Sequence, residues 1–166
     1  MPLSFHALSA GVFARMLANH EAIMAKAEAY ATERKFNPDH YVHMRLAPDM
    51  HPYSFQIQSS TDRAKLFLGR VSGSTPPSWP DIEKTWEEVK ARLKTGLDYA
   101  RSVTAAQLDG QEDKLIALKV RGEDVQWPAQ KYLIENALPN FYFHVTTAYD
   151  ILRHAGVPLG KRDFTG

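Results

Sequence analysis

The sequence predicts an all-α fold, a four-helix bundle with a short β-hairpin in the crossover before the last helix, formed as one domain over residues 1–166. Three observations predict it. Apolar residues recur every three or four positions over long stretches, the period of one face of an α-helix. Helix-breaking Pro and Gly residues fall mostly between those stretches, and the helical period fails clearly only between Ser102 and Gln126. The length of 166 residues, with 44% apolar and 23% charged, suits one core and argues against disorder.

The first long helix is predicted from Phe5, Leu8, Val12, Phe13, Met16, Leu17, Ile23, Met24, Ala27 and Tyr30, and frays near Arg34 and Lys35, cations that suit a helix C-terminus. Asn37-Pro38-Asp39 reads as an N-cap and a first-position Pro, opening a short helix over about Pro38 to Leu46. Pro48 and Pro52 make Ala47 to His51 a tight connector, and the second long helix runs from Pro52 to about Val71. Gly73-Ser74-Thr75-Pro76-Pro77 cannot continue it. Ser78-Trp79-Pro80-Asp81 has the S-x-x-D form of a helix start, so the third helix is placed there, with Ile82, Trp86, Val89, Leu93, Leu97 and Ala100 as its core face and Glu88 paired with Arg92 outside. Leu115–Val120 and Val125–Trp127, around the turn Arg121-Gly122-Glu123-Asp124, read as the hairpin, anchored by Ile116 or Trp127. The fourth helix spans Pro128 to Ala155, closed by Gly156 and Pro158, and Pro139 inside it predicts a kink or break.

Composition excludes several function classes. With 20 Lys+Arg against 19 Asp+Glu there is no electrostatic footprint for nucleic acid or a membrane surface, and no aromatic-basic interleaving for base stacking. No cysteine occurs, so disulfides, thiolate metal sites and Cys nucleophiles are excluded. The longest uncharged stretches, 1–14 and 136–149, are too short to span a bilayer, and the first has no basic leader, which makes the cytoplasm the expected location. No phosphate-binding Gly loop, H-E-x-x-H or G-x-S-x-G is present.

What remains is a polar stripe. Asn136, Asn140, His144 and Thr147 follow at i,i+4 and i,i+3 within an aromatic stretch of the last helix, continuing towards His154. Gln58 and Asp62 share a face of the second helix, which leads to the expectation that Asp62 meets His144 inside the bundle. His20 lies on the apolar stripe of the first helix and reads as a core residue or a further group at the same cavity. His40, His43 and His51 read as solvent-exposed, with a surface metal site as the rival. Arg45 and Asp49 read as a turn pair or cap, and the three tryptophans as core or hairpin anchors. On residue types alone a self-satisfied hydrogen-bond network is the first reading and a small-molecule pocket the second; the third is a divalent transition metal, which neutral imidazole and carboxylate on facing helices suit.

Taken together, Arg45-Leu46-Ala47-Pro48-Asp49-Met50, the run Gln56-x-Gln58-x-x-x-Asp62-x-x-Lys65, and Leu138-Pro139-Asn140-Phe141-Tyr142-Phe143-His144-Val145-Thr146-Thr147-Ala148-Tyr149 with Ile151-Leu152-Arg153-His154 resemble a bacterial domain-of-unknown-function family related to the DinB/YfiT-like four-helix bundles. The resemblance extends over nearly the whole chain, through Gly156–Lys161 and Asp163–Gly166. It implies a DinB-like fold and, for many members of that superfamily, a metal held by one histidine of the second helix and two in H-x-x-x-H on the last. Here Asn140 stands in place of the first histidine of that pair, His144 matches the second, and the second helix offers Gln58 or Asp62. Such a donor set holds zinc-like ions weakly.

The leading expectation is thus a cavity around Asp62, Asn140 and His144, bordered by Gln58, His20 and Thr147, that takes a small molecule or a weakly held metal on Asp62 and His144. A rival is a divalent-metal-dependent hydrolase or transferase in which those two groups activate a nucleophile. The third reading, from another class, is a non-catalytic structural or stress-related homodimer whose polar stripe specifies packing.

Overall fold

The computed structural model describes residues 4–166. The first helix forms in two pieces, α1 (Phe5–Leu8) and α2 (Ala10–Glu33). The predicted single helix breaks at Ser9, whose backbone leaves helical geometry while its buried hydroxyl donates to the Phe5 carbonyl at 2.6 Å. This is the local competition with the helix ladder that serine side chains offer. Helix α2 ends as expected, with Arg34 as C-cap and Lys35 at φ 60. The short helix α3 is only Asp39–Val42, with the Asn37 side chain accepting from the Asp39 amide at 2.9 Å. The second long helix, α4, is Tyr53–Ser72, closed by Gly73 at φ 77.

The third long helix, α5, is Trp86–Ser102 and starts later than the S-x-x-D signal predicts. A stronger cap lies downstream. Thr85 Oγ1 accepts from the Glu88 amide while Glu88 accepts from the Thr85 and Lys84 amides, and Asp39 of α3 accepts from the Trp86 amide at 2.7 Å. Residues 74–85 therefore form a strap along α4 and α5. Ile82, expected in the core, is 68% exposed on it. Trp79 is not a core anchor either; it is half-buried, with Lys65 Nζ 4.5 Å from its ring centroid and the Arg92 guanidinium 5.3 Å away.

A short α6 (Ala105–Leu108), not anticipated, precedes the hairpin of β1 (Leu115–Val120) and β2 (Glu123–Pro128), antiparallel with Ile116 opposite Trp127 and Leu118 opposite Val125. The strands meet at a two-residue turn, tighter than predicted, with Arg121 at φ 52 and Gly122 at φ 89, as a turn matching the strand twist requires. Ile116 and Leu118 anchor the hairpin's buried face. The last long helix comprises α7 (Ala129–Tyr132), a π-helical turn at Leu133–Ala137, and α8 (Leu138–His154). The irregularity predicted at Pro139 takes this form: the widened turn ends just before the ring that cannot donate a backbone hydrogen bond. Gly156, at φ 94, follows the helix end. A last helix, α9 (Lys161–Thr165), also not foreseen, returns to α2 through Asn19 Nδ2 donating to the Phe164 carbonyl at 3.0 Å and a Lys26–Asp163 pair.

The four long elements enclose a core centred on Phe13, Tyr41, Tyr53, Phe67, Trp86 and Phe141. Helices α4 and α5 approach so closely that a Cβ on Gly96 would lie 2.4 Å from Thr61 Cγ2. Helix α4 thus has α5 on one flank and α8 on the other, which decides what each of its polar residues can reach.

Candidate ligand site between α4 and α8

At about 100° per residue, Gln56 and Arg63 fall within roughly 20° of each other on α4, while Gln58, Asp62 and Lys65 lie on nearly the opposite face. The packing follows this division. Gln58 and Asp62 do share a face, but it looks towards α5 and the strap. Gln58 Nε2 donates to Glu83 at 2.7 Å, and the Asp62 carboxylate pairs with Lys65 at 2.6 Å and Arg92 at 3.0 Å. Asp62 therefore does not meet His144. Arg92, expected on the outer side of α5 and paired with Glu88, is 4% exposed and is held by Asp62, Asp81, Glu83, the Pro80 carbonyl and Thr61. The network pins the strap to the bundle.

His20 also lies apart from α8. It is buried, with Nε2 3.0 Å from the Tyr53 hydroxyl, and Tyr53 in turn stacks on Trp86. Burial lowers the His20 pKa to about 4 and raises that of Tyr53 well above its ordinary value. It is a satisfied core histidine. Thr147 is buried and donates to the Phe143 carbonyl of its own helix at 2.7 Å. Asn140 is half-buried and donates to the Asn136 carbonyl at 2.7 Å. His40, His43 and His154 are exposed, and His51 stacks on Phe55 with ring centroids 3.9 Å apart. Arg45 does not pair with Asp49; its guanidinium donates to the Met50 carbonyl and so caps the connector.

The residue of α4 that meets His144 is Gln56. Its Oε1 accepts from His144 Nδ1 at 2.8 Å, and its Nε2 donates to the His51 carbonyl at 3.0 Å. The second bond fixes which end of the amide faces the imidazole, so Nδ1 carries the proton and Nε2 keeps its lone pair. Nε2 has no hydrogen-bond partner among the described residues. Desolvation, followed by the positive charges of Arg63 and His51, lowers the His144 pKa to about 4, so the ring is neutral at neutral pH.

One turn back along α8 the stripe enters a cleft of about 850 Å³ roofed by the hairpin. Arg63, Asn136, Asn140 and Glu135 form its floor, and Lys119, Arg121, Glu123 and Trp127 its roof. Helices α4 and α8 run antiparallel here, so Arg63 and Asn140 lie at the cleft end of their interface, while the Gln56–His144 pair lies further along it, beside the cleft and outside its lining. Gln56 and Arg63 were the residues missed by sequence reasoning. Their i,i+7 spacing was the available signal, and it points to α8 only once α5 is known to occupy the other face.

Residues 5–165 match a family model described as a domain of unknown function, DUF1993. The chain belongs to that family. A crystal structure of a DinB family member protein from Shewanella denitrificans is 36% identical over 97% of this chain and 91% of that one, with a TM-score of 0.89. No curated protein matches the chain. DUF1993 membership and this neighbour together establish the DinB-like helical bundle with its short hairpin.

The metal triad implied by the DinB resemblance can be tested against this DUF1993 site. The three facing positions hold Gln56, Asn140 and His144, one imidazole and two carboxamides, and both amide nitrogens and Nδ1 are already engaged in hydrogen bonds. Among the described residues no three His, Cys, Asp or Glu side chains converge on a point that could hold an ion. The donor set does not fit a resident divalent transition metal, since amide oxygens are poor ligands for borderline ions.

Proposed function

We propose that this protein binds a small polar molecule in the groove between α4 and α8, with neutral His144 accepting a hydrogen bond from it through Nε2. The supporting observation is the Gln56 clamp: a histidine held in one tautomer by a fixed amide, with its basic nitrogen unengaged, beside a polar cleft large enough for a small ligand. The neutral ring is an acceptor at physiological pH, and a hydrogen bond accepted from a bound ligand is what it can contribute, since a pKa of about 4 makes it a weak base.

A thermal-shift screen of polar metabolites against the wild-type protein and His144→Ala tests this reading. Ligands that stabilise the wild type but not the variant are expected, because binding to the folded state raises the melting temperature. Hits that stabilise both proteins equally, or an absence of hits, contradict it.

A further inference from the structure

Within the cleft, Arg63 is half-buried and makes no ion pair or hydrogen bond among the described residues. Guanidinium groups taken out of water are ordinarily paired, and Arg92, on the other flank of the same helix, is held by three carboxylates. Above it, Arg121 occupies the first position of the hairpin turn at φ 52, a left-handed conformation that favours Gly, Asn or Asp over Arg. Lys119 flanks it and reaches Asp124 only at 3.4 Å. Two carboxylates also line the cleft, but Glu135 lies 3.8 Å from Lys131, outside the lining. The remaining carboxylate, Glu123, shares the cleft with Arg63 and Arg121, which have no ion pair among the described residues, and with Lys119, which Asp124 pairs.

We infer that the cleft selects molecules bearing an oxyanion, a carboxylate or a phosphate, with Arg63 as the bidentate fork and Arg121 as a second cation delivered by the hairpin. The inference rests on the groove being a ligand site and names the chemical class of its ligand. Arg63 supplies parallel N–H donors that match the two oxygens of such a group. The hairpin becomes the specificity element. Arg121 keeps an unfavourable backbone conformation that a smaller turn residue would relieve, a cost consistent with a retained role for its charge. Asn136 and Asn140, beside Arg63 in the floor, then face the uncharged part of the molecule.

The test is titration of the protein with inorganic phosphate, succinate and neutral succinamide at constant ionic strength, following the side-chain Nε–H resonance of Arg63 by NMR. Saturable shifts with phosphate or succinate and none with succinamide are expected, and the stronger anion distinguishes phosphate from carboxylate as the group preferred. Affinity is expected to fall at least about tenfold in Arg63→Gln, and nearly as far in Arg63→Lys, which keeps the charge but loses the fork. Arg121→Asn is expected to weaken the anion several-fold while leaving the melting temperature equal or higher, so loss of binding there is not loss of folding. Equal responses to succinate and succinamide, or anion affinities unchanged in both Arg63→Gln and Arg121→Asn, overturn the inference. If that happens while His144-dependent stabilisation by neutral metabolites persists, the groove reading stands and only the ligand class is wrong.

Discussion

Gln56 and His144 are joined across the α4–α8 interface by a 2.8 Å hydrogen bond whose polarity is fixed from behind, because the other end of the Gln56 amide is committed to the His51 carbonyl. Orientation of an imidazole by a partner on its far nitrogen is how a histidine is held for use through the near one. The charge placed at position 56 should therefore control the protonation of His144. Gln56→Glu places a carboxylate where the amide oxygen was and is expected to raise the His144 pKa by more than about one unit, read from the ring resonances across a pH titration.

Two depressed histidines give the stability a definite pH dependence. His20 and His144 each titrate at about 4 in the folded protein against 6.5 for a free imidazole. Between those values the unfolded chain binds more protons, so stability is full above pH 6.5 and declines as pH falls towards 4. For fully buried His20 the loss amounts to about 3 kcal/mol at most, and for half-exposed His144 it is smaller. Urea unfolding at pH 7.5 and 5.0 should show a lower midpoint at pH 5.0, and His20→Phe should reduce the difference.

Arg92 should matter for stability and not through Glu88. Removing the guanidinium in Arg92→Ala takes away the group that joins Asp62, Glu83 and Thr61, although Asp62 keeps Lys65 and Glu83 keeps Gln58, and a loss of about 1–3 kcal/mol is expected in chemical denaturation. A double-mutant cycle between Glu88 and Arg92 is expected to show no coupling, because Glu88 is committed to the Thr85 cap. Thr85→Ala is expected to lose about 1 kcal/mol on its own.

Gly96 holds the α4–α5 spacing. Gly96→Ala drives a methyl into Thr61, whose hydroxyl is bonded to Arg92 at 3.1 Å and cannot readily turn away. A destabilisation of about 1–3 kcal/mol is expected despite the better helix propensity of alanine, measured by thermal or urea unfolding.

The bundle was legible because its signals are local. The apolar period, the Gly73 and Gly156 stops, the hairpin strands and the Pro139 irregularity each depend on residues within a turn or two of one another. The start of α5 was misread because two capping signals compete, and Thr85-x-x-Glu88 prevails once Asp39, remote in sequence, adds its own bond to the Trp86 amide. The same distinction governs the site. That Asn140 and His144 share a face of α8 follows from spacing alone, whereas the choice between Asp62 and Gln56 as the α4 partner depends on which flank α5 occupies. That flank is set by Gly96 meeting Thr61 and by Arg92 drawing Asp62 to it, contacts between residues about 30 positions apart.

The most direct test of the account is a long-range ¹H–¹⁵N correlation spectrum of the His144 ring recorded from pH 7.5 down to 3.5. A neutral ring at pH 7 with the proton on Nδ1, an unprotonated Nε2, and titration near pH 4 are expected. A proton on Nε2 at neutral pH, or titration at 6.5 or above, would contradict it.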